Sequence, residues 1–190
     1  MKILCRLILK LAGWSWSVTV PDYPKSILCI APHTSNWDFI LGKLFYGAVG
    51  RNANFLMKKD WFFFPLNHLL KAMGGIPVDR KKNTSLVEQL VISSKNNEKF
   101  ILAITPEGTR KRNPHWKKGF YFIALQANMP IVLVCIDYKH KHIRMEKSVL
   151  PTGDEKKETN EIKLYFQENA VAKHPERFAT GLEKESKPDK

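Results

Sequence analysis

The feature that most constrains the fold is a regular alternation of short apolar runs with longer segments of helical periodicity. The apolar runs predict buried strands at residues 26–30, 54–57, 75–78, 100–104 and 131–136. The intervening segments predict helices at residues 35–49, 61–73, 84–96, 119–127 and 156–172. This alternation is typical of an α/β fold, so we expect a single layered domain with a central, mostly parallel sheet flanked by helices.

The ends of the chain differ in character from this middle part. Residues 1–18 predict an amphipathic membrane-surface helix, and residues 19–175 form the predicted main domain. Residues 176–190 are polar and charged, which predicts a disordered tail.

The N-terminal segment favours contact with a membrane. Lys2, Arg6 and Lys10 recur at every fourth position and share one helix face, while apolar side chains occupy the remainder. The apolar run is too short and too charged to span a bilayer, so we expect the helix to lie in the interface. Trp14 and Trp16 suit the depth of the lipid headgroups. The aromatic run 61–66 is a second candidate for membrane contact; both segments could instead pack on the protein's own core.

The net charge of +13 indicates an anionic partner. That partner could be a nucleic acid, an anionic membrane surface, or an acidic carrier or phosphorylated substrate. The sequence contains no recognisable nucleic-acid-binding motif, so nucleic acid is not expected, although a basic nucleic-acid-binding protein remains the alternative from another class. The three cysteines are widely separated, which favours neither a disulfide framework nor a metal site. His140 and His142 flank a lysine in a basic stretch, and we expect both to face solvent.

We predict a peripheral, monotopic protein on the cytoplasmic face of the inner (cell) membrane.

His33 and Asp38 are the candidates for catalysis. His33 follows the predicted strand 26–30, and strand ends are where open α/β sheets carry their sites. If a helix begins near Ser35, Asp38 lies in its first turn and can fold back toward the imidazole. A carboxylate bonded to one ring nitrogen fixes the tautomer, so that the other nitrogen can take a proton from a hydroxyl. Ser35 is more suited to capping that helix than to nucleophilic attack.

Four ordered blocks resemble the glycerophospholipid acyltransferase family, whose best-known members are the 1-acylglycerol-3-phosphate acyltransferases. The blocks read Ile-Ala-Pro-His-Thr-Ser-Asn-Trp-Asp at 30–38, Gly-Ile-Pro-Val-Asp-Arg at 75–80, Thr-Pro-Glu-Gly-Thr-Arg at 105–110, and Met-Pro-Ile-Val-Leu-Val at 129–134. The resemblance covers residues 28–138. Pro32 stands where the family more often has Asn, and Thr105 where it more often has Phe.

The resemblance implies that the second and third blocks hold the acceptor of an acyl group. Its candidate binding residues are Arg80, Glu107, Gly108, Thr109 and Arg110, with Lys58 and Lys59 as weaker candidates. Guanidinium groups suit phosphate oxygens, and a glycine permits close backbone approach. The fourth block is interpreted as a buried strand that supports the site. Lys117, Lys118 and the basic run 139–147 could contact the phosphates of coenzyme A or the acidic surface of acyl carrier protein.

The expected activity is O-acyl transfer from an acyl thioester to the hydroxyl of a lysophospholipid, with 1-acylglycerol 3-phosphate as the principal acceptor. No cofactor is expected beyond the cosubstrate, which is acyl-CoA or acyl-acyl carrier protein. Acylation of a lyso-aminolipid or another hydroxyl lipid, and hydrolysis of the thioester, are the alternatives.

Overall fold

A computed structural model of the chain describes residues 1–78 and 86–182, and within them the backbone forms one seven-stranded sheet. The strands are β1 (Ser15–Val18), β2 (Lys25–Ala31), β3 (Asn54–Lys58), β4 (Gly75–Val78), β5 (Phe100–Ile104), β6 (Ile131–Asp137) and β7 (His142–Val149). Their order is β1-β7-β6-β2-β5-β3-β4. All neighbouring pairs are parallel except β6 and β7. The predicted α/β fold with a mostly parallel sheet is confirmed.

Helices connect and cover the strands. They are α1 (Lys2–Leu11), α2 (Asn36–Val49), α3 (Leu66–Ala72), α4 (Leu86–Asn96), α5 (Gly119–Gln126) and α6 (Glu155–Asn169). The predicted helix 61–73 is wrong in its first part, where the chain makes a single 3-10 turn at Lys59–Trp61 and α3 begins only after Pro65. Proline disfavours the α conformation of the residue before it, so the helix starts after Phe64.

The sheet is buried on both faces. Alternate residues of β2 belong to two different core clusters, with Ile27 and Cys29 on one face and Leu28 on the other. Every residue of β6 is buried. This two-sided burial explains why the central strands read as continuous apolar runs and not as alternating patterns.

The two strands that the sequence does not predict are β1 and β7, at one edge of the sheet. In β7 only Ile143 and Met145 are buried, and the charged Arg144 lies between them. The basic stretch therefore forms a half-buried strand. The expectation that His142 faces solvent is wrong: its ring nitrogens lie 2.7 Å from Ser15 Oγ and 2.9 Å from Ser17 Oγ and so join β7 to β1. His140 is exposed and contacts Asp137.

The ends of the chain pack on this framework. The predicted membrane-surface segment 1–18 divides into α1 and β1, and α1 lies against α2 through the buried Cys5 and Leu9. None of the helices in the described residues is both long enough and apolar enough to cross a membrane. At the other end, the fold continues beyond the predicted limit at 175, because Ala179 and Thr180 are buried and the indole N–H of Trp116 donates to the carbonyl of Ala179 at 2.8 Å. Residues 183–190 of the predicted tail lie outside the described residues.

Candidate active site

The topology brings the candidate residues to one edge of the sheet. Strands β2, β5, β3 and β4 are consecutive neighbours and run parallel, so their carboxyl ends lie side by side. His33 follows β2, Glu107 follows β5, and Lys59 follows β3. This edge is where α/β proteins with open sheets bind their ligands.

The start of α2 places Asp38 beside His33. Ser35 is the N-cap of the helix, and its side chain accepts a hydrogen bond from the backbone N–H of Trp37 at 3.2 Å. Asp38 folds back, and its Oδ2 accepts from the backbone N–H groups of Thr34 at 2.7 Å and Ser35 at 2.8 Å. These bonds satisfy amides that a helix start would otherwise leave unpaired. The predicted position of Asp38 in the first turn and the capping role of Ser35 are both confirmed.

The His33 imidazole faces this carboxylate. Its Nδ1 lies 3.3 Å from Asp38 Oδ2, within ion-pair distance but without the geometry of a hydrogen bond. The Asp38 side chain is 2 % exposed and that of His33 is 19 % exposed. Because Nδ1 faces Asp38, Nε2 is the nitrogen that can exchange a proton with a substrate.

Asp38 has a further partner that the sequence analysis missed. The hydroxyl of Tyr138 donates a 2.6 Å hydrogen bond to Asp38 Oδ1. Burial opposes ionisation of Asp38, but its contacts with His33, Tyr138 and the backbone of Ser35 and Thr34 outweigh this effect, and the pKa of Asp38 is lowered. Tyr138 directly follows β6, the neighbour of β2, so its position at a strand end was the signal that could have identified it.

Glu107 is buried against the loop that carries His33. Its Oε1 accepts a 3.0 Å hydrogen bond from the backbone N–H of His33, while its Oε2 has no hydrogen-bond partner among the described residues. The side chain is almost inaccessible, since the residue is 3 % exposed. Burial raises the pKa of Glu107 to about 8; the bond from His33 lowers it, and the nearby charge of Asp38 adds to the increase. Near neutral pH the carboxyl is therefore largely protonated.

The rest of the third block forms a loop at the surface. Gly108 has φ of +66°, in the left-handed region that favours glycine, and a Cβ at this position would lie 3.1 Å from Lys117 Cγ. The Thr109 hydroxyl accepts from the backbone N–H of Lys111 at 3.2 Å, and Arg110 is exposed. This loop, 110–118, carries the exposed cations Arg110, Lys111, Arg112, Lys117 and Lys118. We call it the basic loop.

The remaining candidates are placed less completely. Lys59 opens the 3-10 turn after β3 and is exposed, whereas Lys58 is the last residue of β3 and its side chain lies outside the described part of the chain. Strand β4 ends at Val78, and Arg80 lies outside the described residues. Within residues 1–78 and 86–182, no three histidine, cysteine or acidic side chains converge as metal ligands.

Residues 170–174 were another part of the site that the sequence did not indicate. The backbone N–H of His174 donates to Thr34 Oγ1 at 3.3 Å, and the Lys173 ammonium lies 5.2 Å from the centre of the Trp37 ring. The stretch after α6 thus contacts the loop that carries His33 and the start of α2.

A family model described as Acyltransferase matches residues 19–137, more than half of the chain. The chain belongs to the acyltransferase family. The resemblance to this family that the four sequence blocks carry is thereby confirmed.

Individual relatives extend this comparison. The chain is 31 % identical over 127 residues to a 1-acyl-sn-glycerol-3-phosphate acyltransferase of Limnanthes douglasii, and 30 % identical over 127 residues to the protein of the same name from Limnanthes alba. Each alignment covers 61 % of this chain and 42 % of the relative, so the chain spans about two fifths of the length of the relatives it matches.

The fold has a counterpart of known structure. It is similar to the crystal structure of the 1-acyl-sn-glycerophosphate (LPA) acyltransferase PlsC from Thermotoga maritima, with a TM-score of 0.59 and 17 % identity. The similarity covers 88 % of this chain and 77 % of the other. At this level of identity the similarity supports the fold of the acyltransferase, including its mostly parallel sheet.

Proposed function

We propose that this acyltransferase moves a fatty acyl group from an acyl thioester to the hydroxyl of a lysophospholipid, with 1-acylglycerol 3-phosphate as acceptor and phosphatidate as product. The observation that carries the proposal is the contact between His33 Nδ1 and Asp38 Oδ2 at the carboxyl edge of the sheet. The names of the relatives from two Limnanthes species support the choice of acceptor.

The proposed chemistry needs one base and no covalent acyl-enzyme. Nε2 of His33 removes the proton of the acceptor hydroxyl as the oxygen attacks the thioester carbonyl, and Asp38 stabilises the resulting imidazolium. The tetrahedral intermediate then collapses, its carbon–sulfur bond breaks, and the departing thiolate receives the proton from His33. An ester and a free thiol are formed, and the imidazole returns to its neutral state.

The basic loop supports an anionic acceptor and an anionic donor. Its exposed cations begin at Arg110, three residues after Glu107. The side chain of Glu107 accepts the hydrogen bond from the backbone N–H of His33. We propose that Arg110, with Arg80, Lys58 and Lys59 from the neighbouring strand ends, contacts the phosphate of the acceptor, and that Gly108 and Thr109 line its path. Glu107 cooperates by shaping the His33 loop. The donor is acyl-CoA or acyl-acyl carrier protein, and no other cofactor is proposed.

We further propose that the enzyme is peripheral and monotopic, bound to an anionic membrane surface at the cytoplasmic face of the cell membrane. Helix α1 turns Cys5 and Leu9 toward the protein and exposes its other apolar side chains, Ile3, Leu4, Leu7, Ile8 and Leu11. Exposed aromatic residues lie after β3 and at the start of α2, namely Trp61, Phe63, Phe64, Trp37 and Phe39. Both segments follow strands at the catalytic edge, so an interface that binds them would also present lipid to His33.

Trp14 does not take the headgroup position that the sequence predicted for it. It is 8 % exposed, and its ring packs edge-on against Tyr138 at 5.2 Å between centroids. Arg6 is likewise directed toward the protein, because its Nε donates to the carbonyl of Ala48 at 2.8 Å. The apolar side chains of α1, more than its cations, are therefore proposed to enter the membrane.

The test is acyl transfer by the purified protein with each donor and a panel of acceptors. We expect phosphatidate from 1-acylglycerol 3-phosphate, and little release of free fatty acid when no acceptor is present. If product formed only from a lyso-aminolipid, the proposed acyl-transfer chemistry would stand and the proposed acceptor would be wrong. Equal acyl release with and without any acceptor would show hydrolysis and overturn the proposed transfer.

A further inference from the structure

The two oxygens of the Asp38 carboxylate have different partners. Oδ2 accepts the backbone N–H groups of Thr34 and Ser35 and is the oxygen that faces His33. Oδ1 accepts the hydroxyl of Tyr138 at 2.6 Å, from a residue 100 positions away in the sequence. The first set comes from the turn that carries Asp38 itself, whereas the second comes from another strand. Tyr138 is therefore the long-range restraint on this carboxylate.

Tyr138 is itself held in place from several directions. It follows β6, and its backbone N–H donates to the carbonyl of Val171 at 2.9 Å. Its ring meets the Trp14 ring edge-on, with an interplanar angle of 88°. Burial and the bond to Asp38 raise the pKa of Tyr138, so its hydroxyl stays protonated and continues to donate. The hydroxyl is thus placed before any substrate arrives.

We propose that Tyr138 is a positioning residue for acyl transfer, which fixes the rotation of the Asp38 carboxylate so that Oδ2 remains directed at His33 Nδ1. The inference rests on the proposed function of His33 as the base. The need for such a restraint follows from the 3.3 Å separation between Nδ1 and Oδ2, because a contact that is already longer than an ordinary hydrogen bond is weakened further by a small rotation.

This role predicts a specific kinetic pattern. Tyr138 contacts neither the proposed phosphate-binding residues nor the basic loop through any hydrogen bond described for it. Its removal should therefore lower the turnover number and leave the KM for the acceptor nearly unchanged. The energy of a hydrogen bond to a charged group, if lost only in the transition state, corresponds to about a tenfold to hundredfold change in rate. The effect should also require Asp38, since the hydroxyl acts only through that carboxylate.

The experiment compares Tyr138→Phe with Tyr46→Phe. Tyr46 is the control, because it belongs to the core cluster against which Tyr138 packs, and its hydroxyl contacts only the sulfur of Met145 at 3.5 Å among the bonds described for it. We expect kcat for acyl transfer to fall about tenfold or more in Tyr138→Phe, with a KM within about twofold of wild type and an unchanged circular dichroism spectrum. Tyr46→Phe should retain wild-type turnover.

A double-mutant cycle with Asp38→Ala distinguishes positioning from other roles. We expect Tyr138→Phe to have no further effect on kcat when Asp38 is already absent. Equal losses in both backgrounds, an increase in KM alone, or wild-type turnover in Tyr138→Phe would each overturn the inference. An inactive wild-type enzyme, or a fully active His33→Ala variant, would instead contradict the proposed function.

Discussion

The backbone N–H of His33 donates a 3.0 Å hydrogen bond to the buried carboxyl of Glu107. This bond ties the loop after β2 to the loop after β5, so the proposed base and the proposed acceptor-binding loop form one unit. Burial raises the pKa of Glu107 to about 8. Near pH 7 the group therefore adds little negative charge beside Asp38, and Asp38 remains the main ionised partner of the imidazole.

The pKa of Glu107 predicts how stability depends on pH. Because the folded pKa of about 8 exceeds the ordinary value of 4.5, the folded state holds a proton that the unfolded state has lost between these pH values. The free energy of unfolding should therefore fall as pH rises through this window. Glu107→Gln removes this contribution, and its stability relative to wild type should rise with pH, by on the order of a few kcal/mol.

Denaturant unfolding at pH 5, 6.5 and 8 measures this difference. Glu176→Gln is the control, because it makes the same substitution at a carboxylate that is largely exposed. Parallel stability curves for wild type and Glu107→Gln would show that Glu107 does not titrate in this range.

Asp38 has two roles, as the N3 residue of the capping box that Ser35 begins and as a partner of His33. Asp38→Ala should lose about 1 to 2 kcal/mol of stability through the cap and about a hundredfold or more in kcat. Asp154→Ala is the matched control, because Asp154 caps α6 by accepting from the backbone N–H of Lys157 at 3.2 Å. It should lose comparable stability and keep its activity; equal activity of the two variants would remove Asp38 from the chemistry.

Strands β2 to β6 could be predicted because each is a mostly apolar run. Residues 75–78 and 100–104 were predicted with the observed limits, as was the start of β6. The signal fails for β1 and β7, since β1 is short and half polar and β7 alternates buried Ile143 and Met145 with charged neighbours. A strand with one exposed face needs an apolar residue only at every second position. In β7 the charged residues between these positions obscure the pattern.

The candidate site divides in a similar way. The proximity of His33 and Asp38 is local: the two residues are five positions apart, and the turn that begins α2 brings them together. It could therefore be predicted from their spacing in the sequence. The bond from Tyr138 to Asp38 depends on the order of strands in the sheet, which sequence periodicity does not specify. The contact of Trp14 with Tyr138 also depends on strand order, because Trp14 precedes β1, and β1 joins the sheet beyond β7, on the other side of β6 from β2.

The packing of α1 against α2 can be tested by adding a methyl group at Gly47. A Cβ at this position would lie 2.7 Å from Cys5 Sγ, closer than real contacts allow. Gly47→Ala should therefore destabilise the protein by about 1 to 3 kcal/mol, although alanine has the higher helix propensity. Gly42→Ala, on the same helix with no atom within 4 Å of the added Cβ, should be neutral or stabilising.

Thermal or denaturant unfolding provides the measurement. Cys5→Ala combined with Gly47→Ala should recover part of the loss, because it removes the sulfur that the new methyl group contacts. A Gly47→Ala variant as stable as Gly42→Ala would mean that α1 does not pack at this position.

The exposed leucines of α1 should determine membrane binding. Replacing Leu7 and Leu11 by Gln should lower the fraction bound to vesicles that contain anionic lipid by about tenfold or more, because two large apolar side chains no longer enter the bilayer. The matched control replaces the exposed Leu150 and Leu164, which lie outside α1, in the same way. Substitution is preferable to removal of residues 1–18, since β1 pairs with β7.

Cosedimentation with vesicles gives the bound fraction for each variant. Equal binding by the α1 variant and the control variant would assign membrane contact to another surface, with the aromatic residues after β3 as the next to test.

The most direct test of the central claim is the turnover of His33→Ala in acyl transfer to 1-acylglycerol 3-phosphate. We expect a loss of about a hundredfold to ten-thousandfold in kcat, the usual contribution of a general base, with the circular dichroism spectrum and thermal midpoint close to those of wild type. His68→Ala, which removes an exposed imidazole from α3, should retain turnover. Near-normal turnover of a folded His33→Ala variant would contradict the assignment of His33 as the base.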